Sequence, residues 1–355
     1  MSFELGKKVK IEVTGASHAP EITVRLCGID AGIKIDMDDI NEMLKRRAGG
    51  KSVYTTARSE ADEPIIESGI IDGVTDGNDI FARFVNKNQR SKDYDNMRFV
   101  PRPSHADYAA YMKYNGDVDL KGGGFFSGRM TLPVCFAGAI AIQILRAKGI
   151  HIGAHISSVG DVSDERYDAC NDDIAANAPG NLPVLNKEAG ERMEEIMCAA
   201  HDDGDSIGGT IECKMTGVPV GLGDPIYDSV ESVLSYNLFG IPAVKGIEFG
   251  AGFDISKMRG SSANDAFVIK NGAVRCESNN SGGIQGGITN GMPIIVRVAI
   301  KPTPSIYKEQ KSVDLKSMTE TTLKIEGRHD ACIVPRAVPC VEAMCALTLL
   351  DLIEC

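Results

Sequence analysis

The sequence predicts a large protein that mixes strands and helices, of the α/β or α+β class. Its 355 residues, 43% of them hydrophobic and 25% charged, are enough for an extensive core. Residues 7–14 alternate polar and apolar side chains, as half-buried strands do, and a second strand follows at 21–28 after the loop GASHAP. The run 129–148 is the most apolar helical segment, and we expect it to lie centrally. The length would allow two domains, but no linker divides the chain, so we treat residues 1–355 as one domain.

Caps, turns and periodicity locate the other elements. Asp36 or Asp38 can cap a helix that Gly49-Gly50 ends, and Lys45–Arg47 fall in its last turn, where the helix dipole favours basic side chains. Residues 151–203 are acidic and weakly patterned, so we expect a variable, solvent-facing region there. Further strands are predicted at 65–72, 79–86, 151–160, 209–215 and 294–300, and further helices at 186–200, 229–238 and 336–352.

Charge and cysteine usage restrict the possible environments and partners. The net charge of −11 disfavours non-specific nucleic-acid binding, which depends on an excess of Lys and Arg. The ten cysteines are scattered without a CxxC pair, the N-terminus has no apolar signal region, and no stretch approaches the roughly 18 uncharged apolar residues of a membrane span. We therefore expect a cytoplasmic protein that binds neither nucleic acid nor membrane.

Many basic residues nevertheless lie beside glycine, proline or histidine. Taken singly, each is explained equally well as solvated surface charge. Together, in an acidic chain, they predict a focused pocket for a small anion. These residues are Lys45, Arg46, Arg47, Arg58, Arg90, Arg98, Arg102, Arg129, Arg328 and Arg336.

Three glycine-rich loops could bind an anion through converging backbone N–H groups. GGG at 122–124 precedes Ser127 and Arg129 at the start of the most apolar helix, where the helix dipole adds partial positive charge. GDSIGG at 204–209 and SNNSGGIQGG at 278–287 are the other two. A tight turn explains each loop as well when it is taken alone. GxGxxG in a βαβ frame and GxxxxGK[ST] are absent, which disfavours Rossmann and P-loop folds.

Three of the six histidines lie in loops rich in glycine, serine or proline: His18 in GASHAP, His105 in RPSHADY and His329 in GRHDAC. Histidine exchanges protons near neutral pH, and three similar loops favour a catalytic site over three structural residues. Ser104, with Asp107 three residues later, can cap a helix and would place His105 in its first turn.

The other histidines have weaker claims to function. We interpret His151 and His155 as exposed strand residues and His201 as a surface residue. No third ligand accompanies His151 and His155, so we predict no metal site.

A series of segments then points to one family. In their order and spacing, over almost the whole chain, they resemble chorismate synthase, and only about 151–203 lacks a strong match. A collinear series of this kind is more specific than any single motif. The segments are GASHAPEI (15–22), KRRAGGKSVYTTARSEADE (45–63), NKNQRSKDYD (86–95), RPSHADYAAYMKY (102–114), KGGGFFSGR (121–129), GDSIGG (204–209), GVPVGLGDPIYD (217–228), PAVKGIEFGAGFD (242–254), SNNSGGIQGGITNG (278–291), KPTPSI (301–306) and GRHDACIVPRAVPCVEAM (327–344).

The resemblance implies a fold, an activity and partners. The family fold is α+β, a β-α-β sandwich with antiparallel sheets and helices packed outside, usually in a homotetramer. Chorismate synthase eliminates phosphate in an anti-1,4 sense from 5-enolpyruvylshikimate 3-phosphate, in the shikimate pathway of aromatic amino acid biosynthesis. It requires reduced FMN although the reaction has no net redox change. Because the sequence has no dinucleotide fingerprint, NADPH would act indirectly, through a separate flavin reductase.

The resemblance also implies residue roles. By matching position, His18 would protonate the departing phosphate, His105 would stabilise the reduced flavin, and Asp330 would belong to the base relay for the ring proton. The implied anion clamp is Arg46, Arg47, Arg102, Arg129 and Arg328, with Arg58 a weaker candidate. The implied flavin residues are Phe125, Phe126, Ser127, Pro242, Ala243, Gly286, Lys301, Pro302, Thr303, Pro304, Ser305 and Arg328. Arg47 also matches a position assigned to NADP in the family.

Five departures from the family pattern bear on activity. Ala16 and Ala19 replace a glutamate and a glycine beside His18, Val53 and Phe125 replace arginines, and Pro304 replaces a serine. Val53 and Phe125 remove positive charge from a site for polyanions, so we predict a working enzyme with altered flavin affinity. Two alternatives stay open: a flavin-dependent reductase, and a non-catalytic relative that binds an anion.

Overall fold

Two five-stranded antiparallel sheets form the framework of the computed structural model, which describes residues 2–50, 52–56, 62–86, 99–174, 182–325, 327 and 329–355. The strands are β1 (Ser2–Leu5), β2 (Lys10–Gly15), β3 (Glu21–Cys27), β4 (Ile65–Ser68), β5 (Ile70–Ile71), β6 (Val74–Thr75), β7 (Ile80–Val85), β8 (His151–Val159), β9 (Val162–Ser163), β10 (Gly209–Thr216), β11 (Val244–Phe249), β12 (Phe267–Lys270), β13 (Ala273–Cys276), β14 (Ile284–Gln285), β15 (Ile288–Thr289), β16 (Ile294–Ile300), β17 (Gln310–Asp314) and β18 (Thr319–Leu323). The helices are α1 (Met37–Arg47), α2 (Asp107–Lys113), α3 (Thr131–Ala147), α4 (Lys187–Asp202), α5 (Val230–Leu238), α6 (Gly260–Ala263) and α7 (Val334–Glu354).

The first sheet has the strand order β1-β2-β3-β7-β4. Every second side chain of β3 is fully buried, namely Ile22, Val24 and Leu26, and the residues between them are partly or fully exposed. This alternation is typical of an antiparallel sheet that covers the core with one face. It confirms the strands predicted from periodicity at the N-terminal end of the chain, with 65–72 divided into β4 and β5.

The second sheet has the strand order β11-β16-β10-β8-β9 and contains a buried histidine. Glu212 of β10 pairs in register with His155 of β8 and with Arg297 of β16. The Nε2 atom of His155 lies 3.2 Å from the Glu212 carboxylate, and its Nδ1 atom lies 3.1 Å from Asp164. The prediction that His155 is exposed is therefore wrong, because carboxylates on both sides offset the cost of burying the ring. His151, in contrast, is exposed as predicted.

Helices α3 and α7 lie between the two sheets and run parallel to each other. Helix α3 contacts β2 and β3 of the first sheet and β8 of the second, and α7 packs on β8 and β10. The Sγ atoms of Cys135 and Cys340 are 3.7 Å apart, and three residues further along each helix Gly138 faces Ala343. The constant offset between these pairs means that the two helices run in the same direction.

This arrangement confirms the α+β class and its antiparallel sheets, but it changes the position of the longest helices. Most residues of α3 and α7 are buried. The central position predicted for the run 129–148 is confirmed, whereas the implied position of the helices outside the sheets does not hold for this pair. A helix that is apolar on all sides removes its surface from water only when it is buried in an interior of this kind.

The apolar composition of α3 also corrects the sequence-based statement about membrane spans. In the part of the chain that the structure describes, the stretch Gly128–Ala147 is long and apolar enough to cross a membrane. However, 72% of that stretch is buried inside the protein. The core of the sandwich therefore accounts for its composition.

The start of helix α2 differs from the prediction. Ala106 occupies the cap position and no side chain caps the helix, while Ser104 adopts a positive φ of 57°. The Asp107 carboxylate instead accepts hydrogen bonds from the backbone N–H and the guanidinium of Arg102. His105 therefore lies in the turn before the helix and not in its first turn.

Replacing Gly138 by Ala should destabilise the fold. An added Cβ would lie 2.3 Å from the Cβ of Ala343 and 2.5 Å from its Cα, so the parallel helices would have to separate. Overpacking of this kind costs about 1–3 kcal/mol. Gly260→Ala is the matched control, because Gly260 is also helical and an added Cβ there meets nothing within 4 Å. Urea unfolding should give Gly138→Ala a lower free energy of unfolding than Gly260→Ala, and equal values would contradict the close packing.

Candidate active site

A cleft of about 490 Å³ lies where helices α3 and α7 begin. Its lining includes residues at 127–131, around the start of α3, and at 330–340, around the start of α7. The loops at 102–106, 241–243 and 301–305 supply much of the rest. Because the helices are parallel, both N-termini point their partial positive charge to the same end of the sandwich, which favours a bound anion.

The triple glycine 122–124 separates two of the loop histidines. All three glycines have positive φ values, between 54° and 87°. An added Cβ at Gly122 would lie 2.0 Å from Cε1 of His18, and one at Gly123 would lie 3.5 Å from Nε2 of His105. The N–H of Gly123 donates to the Leu120 carbonyl, so it is not available to an anion. The absence of a side chain at Gly122 lets the His18 ring approach closely, whereas a Cβ at Gly123 would meet His105 at an ordinary van der Waals distance. Sequence reasoning had not predicted the contact with His18.

Arg102 is fixed in the cleft by Asp107. Its Nε and one terminal nitrogen donate to the two carboxylate oxygens at 2.7 and 2.8 Å, and its other terminal nitrogen lies 3.4 Å from Ser305 Oγ. Arg102 and Asp107 are both buried. Burial alone would raise the pKa of Asp107, but the hydrogen bonds from Arg102 and His105 hold it well below its usual range. The pair therefore stays ionised and rigid.

His105 lines the cleft beside this pair. Its Nδ1 atom lies 2.6 Å from Asp107 Oδ1 and 3.1 Å from the Arg102 guanidinium. The shorter distance indicates that the proton on Nδ1 is donated to Asp107. The other ring nitrogen, Nε2, faces Gly123. Burial lowers the pKa of His105 below its ordinary value despite the Asp107 carboxylate, and the charges of Arg102 and Lys301 act in the same direction as burial. The ring is therefore neutral near neutral pH while no anion is bound.

Asp62 holds Arg47 and Arg129 together. A terminal nitrogen of Arg47 donates to one Asp62 oxygen at 2.9 Å, and a terminal nitrogen of Arg129 donates to the other oxygen. Arg47 Nε also donates to Thr131 Oγ1 at 3.1 Å. Both arginines are buried and line the cleft, so one carboxylate aligns two guanidinium groups at the beginning of α3.

Asp330 is held in the same way by Arg336 on the first turns of α7. One terminal nitrogen of Arg336 lies 2.9 and 2.8 Å from the two carboxylate oxygens, and the N–H of Thr56 donates to one of them at 2.9 Å. Lys301 also lines the cleft, and its Nζ atom donates to the Ser104 carbonyl at 2.5 Å. Burial lowers the pKa of Lys301, with a further contribution from Lys245.

The cleft is positively charged in an acidic protein. Among the described residues, five basic side chains line it, against the carboxylates of Asp62 and Asp330 and the adjacent Asp107. The basic residues are Arg47, Arg102, Arg129, Lys301 and Arg336. The surplus of positive charge, in a chain of net charge −11, supports the prediction of a focused anion pocket.

The structure brings together most of the residues that the sequence predicted for the site. Their functional roles stay predictions. The predicted residues that line the cleft are Arg47, Arg102, His105, Phe126, Ser127, Arg129, Pro242, Ala243, Lys301, Thr303, Pro304, Ser305 and Asp330. The predicted residues Arg58 and Arg328 lie outside the described residues.

Other predicted residues do not line the cleft. The terminal nitrogens of Arg46 donate to Glu342 at 2.7 and 2.8 Å, so this arginine is held away from it. Phe125 packs in an aromatic cluster with Phe3, Tyr114 and Phe126. The remaining three are His18, which lies behind Gly122, Gly286 in the β14–β15 turn, and Pro302.

The second and third glycine-rich loops have structural partners. Ser278 and Ser281, in the 278–287 loop, donate their hydroxyls to the Asp265 carboxylate at 2.6 Å each. In the 204–209 loop, Ser206 Oγ donates to the Thr303 carbonyl at 2.7 Å. The 278–287 loop is therefore a turn stabilised by Asp265 outside the cleft, and the 204–209 loop supports the cleft segment that contains Thr303.

Sequence reasoning missed several residues of the site. It assigned no role to Ser17, Thr56, Asp62 or Thr131, all of which line the cleft, and it named Arg336 only among the basic residues. No local sequence signal identifies Asp62 or Arg336. Asp62 pairs with Arg47 and Arg129, which are distant in the chain, and Arg336 pairs with Asp330, which precedes helix α7. Only the fold shows these pairings.

Comparison with known proteins identifies relatives of the whole chain. The sequence profile of the family described as chorismate synthase matches residues 9–353. The chorismate synthase of Thermococcus gammatolerans is 44% identical over 346 residues, covering 98% of this chain and 96% of the relative. That of Dehalococcoides mccartyi is 44% identical over 359 residues, covering 99% and 96%. A crystal structure of a chorismate synthase superimposes with a TM-score of 0.73 at 26% identity, covering 98% of this chain and 92% of the other.

Replacing Arg129 by Gln should weaken the binding of inorganic phosphate to the cleft. A charge-assisted hydrogen bond contributes about 1.5–3 kcal/mol, so the affinity should fall about ten- to a hundredfold. Isothermal titration at fixed ionic strength measures this. Arg146→Gln is the matched control, since Arg146 lies at the C-terminal end of α3 and forms a solvent-exposed ion pair with Asp39. Equal affinities for wild type and Arg129→Gln would contradict an anion site here.

Proposed function

The chain belongs to the chorismate synthase family, a family of lyases, and we propose that its cleft converts 5-enolpyruvylshikimate 3-phosphate into chorismate with the help of reduced FMN. One observation carries this proposal. Five basic side chains, two histidines and two fixed carboxylates from distant segments line one cleft of about 490 Å³. A phosphorylated dicarboxylate needs this charge, and an elimination needs proton donors and acceptors beside it.

The arginines orient the substrate. Arg47 and Arg129 are aligned by Asp62, and Arg102 is aligned by Asp107, so their guanidinium groups lose little further entropy when an anion binds. The N-termini of α3 and α7 add favourable partial charge for a leaving phosphate. Because these groups are buried, their attraction for an anion is less screened than on the surface.

The residues of the cleft also fit a flavin. Thr303 Oγ1 is buried and has no hydrogen-bond partner in the described part of the chain, although Thr303 lines the cleft. Ala243 has a positive φ of 74° and its carbonyl accepts from the Lys301 N–H at 2.9 Å, which joins the two implied flavin segments. We propose that Pro242, Ala243, Lys301, Thr303 and Ser305 hold FMN. When bound, reduced FMN supplies a transient electron that helps the phosphate to leave.

We assign proton transfers to His18 and Asp330, and contact with the reduced flavin to His105. His18 donates the proton to the departing phosphate; its ring lies close to Gly122, a cleft residue without a side chain. Asp330 acts in the base relay for the ring proton, held by Thr56 and Arg336. A bound anion would raise the pKa of His105 and favour its protonated form, which suits contact with reduced flavin.

The departures from the family pattern leave most of this cleft unchanged. Val53 is 65% exposed and Phe125 belongs to an aromatic cluster, so neither lines the cleft. Ala16 lies beside the cleft residue Ser17, and Pro304 alone of the five departures is itself in the lining. We therefore propose a working enzyme whose flavin affinity, more than its proton transfers, differs from that of its relatives.

We also propose a cytoplasmic homotetramer that obtains its reduced FMN from a separate flavin reductase using NADPH. Large apolar side chains that are strongly exposed in the single chain support subunit contacts, among them Ile226, Tyr227 and Phe253 at 74%, 89% and 80% exposure. The molar mass in solution, from light scattering, tests the tetramer.

An anaerobic phosphate-release assay tests the proposed reaction. The wild-type protein should release phosphate from 5-enolpyruvylshikimate 3-phosphate with reduced FMN and not with oxidised FMN. Absence of release at saturating reduced FMN would favour a relative that only binds anions.

Replacing His18 by Ala should lower kcat about 10²–10⁴-fold with a much smaller effect on substrate affinity, because the variant removes a proton donor and not an anion contact. Steady-state phosphate release measures both parameters. His201→Ala, at an exposed histidine of α4, is the control and should behave as wild type. An unchanged rate for His18→Ala would remove His18 from the mechanism.

A further inference from the structure

We propose that His329 is a ligand-contacting residue of the cleft that acts as an uncharged hydrogen-bonding group. The inference rests on the proposed function and extends it, because none of the roles assigned above involves this histidine. His329 lines the cleft between Gly327 and Asp330. Its Nε2 atom is buried and has no hydrogen-bond partner within the described residues.

The unpaired nitrogen is the first reason for this assignment. A buried polar atom without a partner costs about 1–3 kcal/mol, and folded proteins retain few of them. The described residues contain a second such atom in the same lining, Thr303 Oγ1. Two costly groups on the wall of one cleft indicate a polar ligand that both of them contact.

The position of the ring is the second reason. Tyr307 packs against His329 with ring centroids 5.8 Å apart, and the Tyr307 hydroxyl donates to the Gly327 carbonyl at 2.6 Å. A Cβ added at Gly327 would lie 3.1 Å from His329 Nε2. The imidazole therefore lies between the Tyr307 ring and Gly327, which has no side chain, and this position orients it before a ligand arrives.

The proposed role of the ring differs from that of His105, which a bound anion would protonate. Burial and the nearby Arg102 guanidinium lower the pKa of His329 to about 4, and the Asp330 carboxylate opposes this only in part. Near neutral pH the ring is neutral and can donate or accept a hydrogen bond, but it cannot pair with an anion as a cation. The arginines bind the anionic groups of the ligand, and His329 forms a hydrogen bond with a polar atom of the flavin or of the substrate.

Two substitutions at this residue test the proposal. His329→Gln keeps an uncharged donor and acceptor near the position of Nε2, whereas His329→Leu keeps the bulk and removes the hydrogen bond. Fluorescence titration gives the Kd for FMN, and phosphate release gives kcat and the KM for 5-enolpyruvylshikimate 3-phosphate. His329→Leu should weaken FMN or substrate binding about tenfold, while His329→Gln stays within about threefold of wild type and keeps the wild-type kcat-pH profile.

Three results would overturn the proposal. His329→Leu could bind both FMN and substrate as wild type does, the two variants could lose the same affinity, or His329→Gln could lose one limb of the kcat-pH profile. The last result would make His329 a proton-transfer group. FMN titration requires no turnover, so it remains informative if the wild-type protein fails to release phosphate, a failure that would contradict only the proposed reaction.

Discussion

The parallel packing of α3 against α7, enclosed by two antiparallel sheets, is the constraint on which the rest of the structure depends. Gly138 and Ala343 allow the helices to touch, and the apolar surfaces of both helices are buried against the sheets. As a result, the two N-termini and the last turn of α1 meet at one end of the sandwich. Positive helix ends and basic side chains from five separate segments converge on that end, where the cleft lies.

The cleft keeps its basic side chains charged and aligned by pairing them with carboxylates. Asp62, Asp107 and Asp330 each hold one or two guanidinium groups through short hydrogen bonds. A polyanion that enters therefore finds donors already oriented, so the cost of ordering them has been met during folding. Burial lowers the pKa of both His105 and His329, so both rings are neutral near neutral pH. A bound anion would favour protonated His105, whereas His329 is proposed to stay uncharged.

The sequence predicted the elements better than it predicted the contacts. Period-two alternation and a single apolar run were enough for β2, β3, β7 and α3, because those patterns reflect burial directly. His155 was misjudged because its carboxylate partners lie on other segments, and the start of α2 was misjudged because Arg102 competes for Asp107. In the site, the order of the family segments was enough to predict His105, Arg129 and Asp330 as site residues. Asp62 and the position of Arg46 could not be predicted, since each depends on a partner that only the fold brings near.

The number of phosphate molecules released for each FMN oxidised, measured anaerobically over many turnovers, tests the central claim most directly. If the cleft carries out an elimination without net redox change, many phosphates should be released while the flavin ends in its reduced form. Oxidation of one FMN for each phosphate released would contradict the account and would identify a flavin-dependent reductase instead.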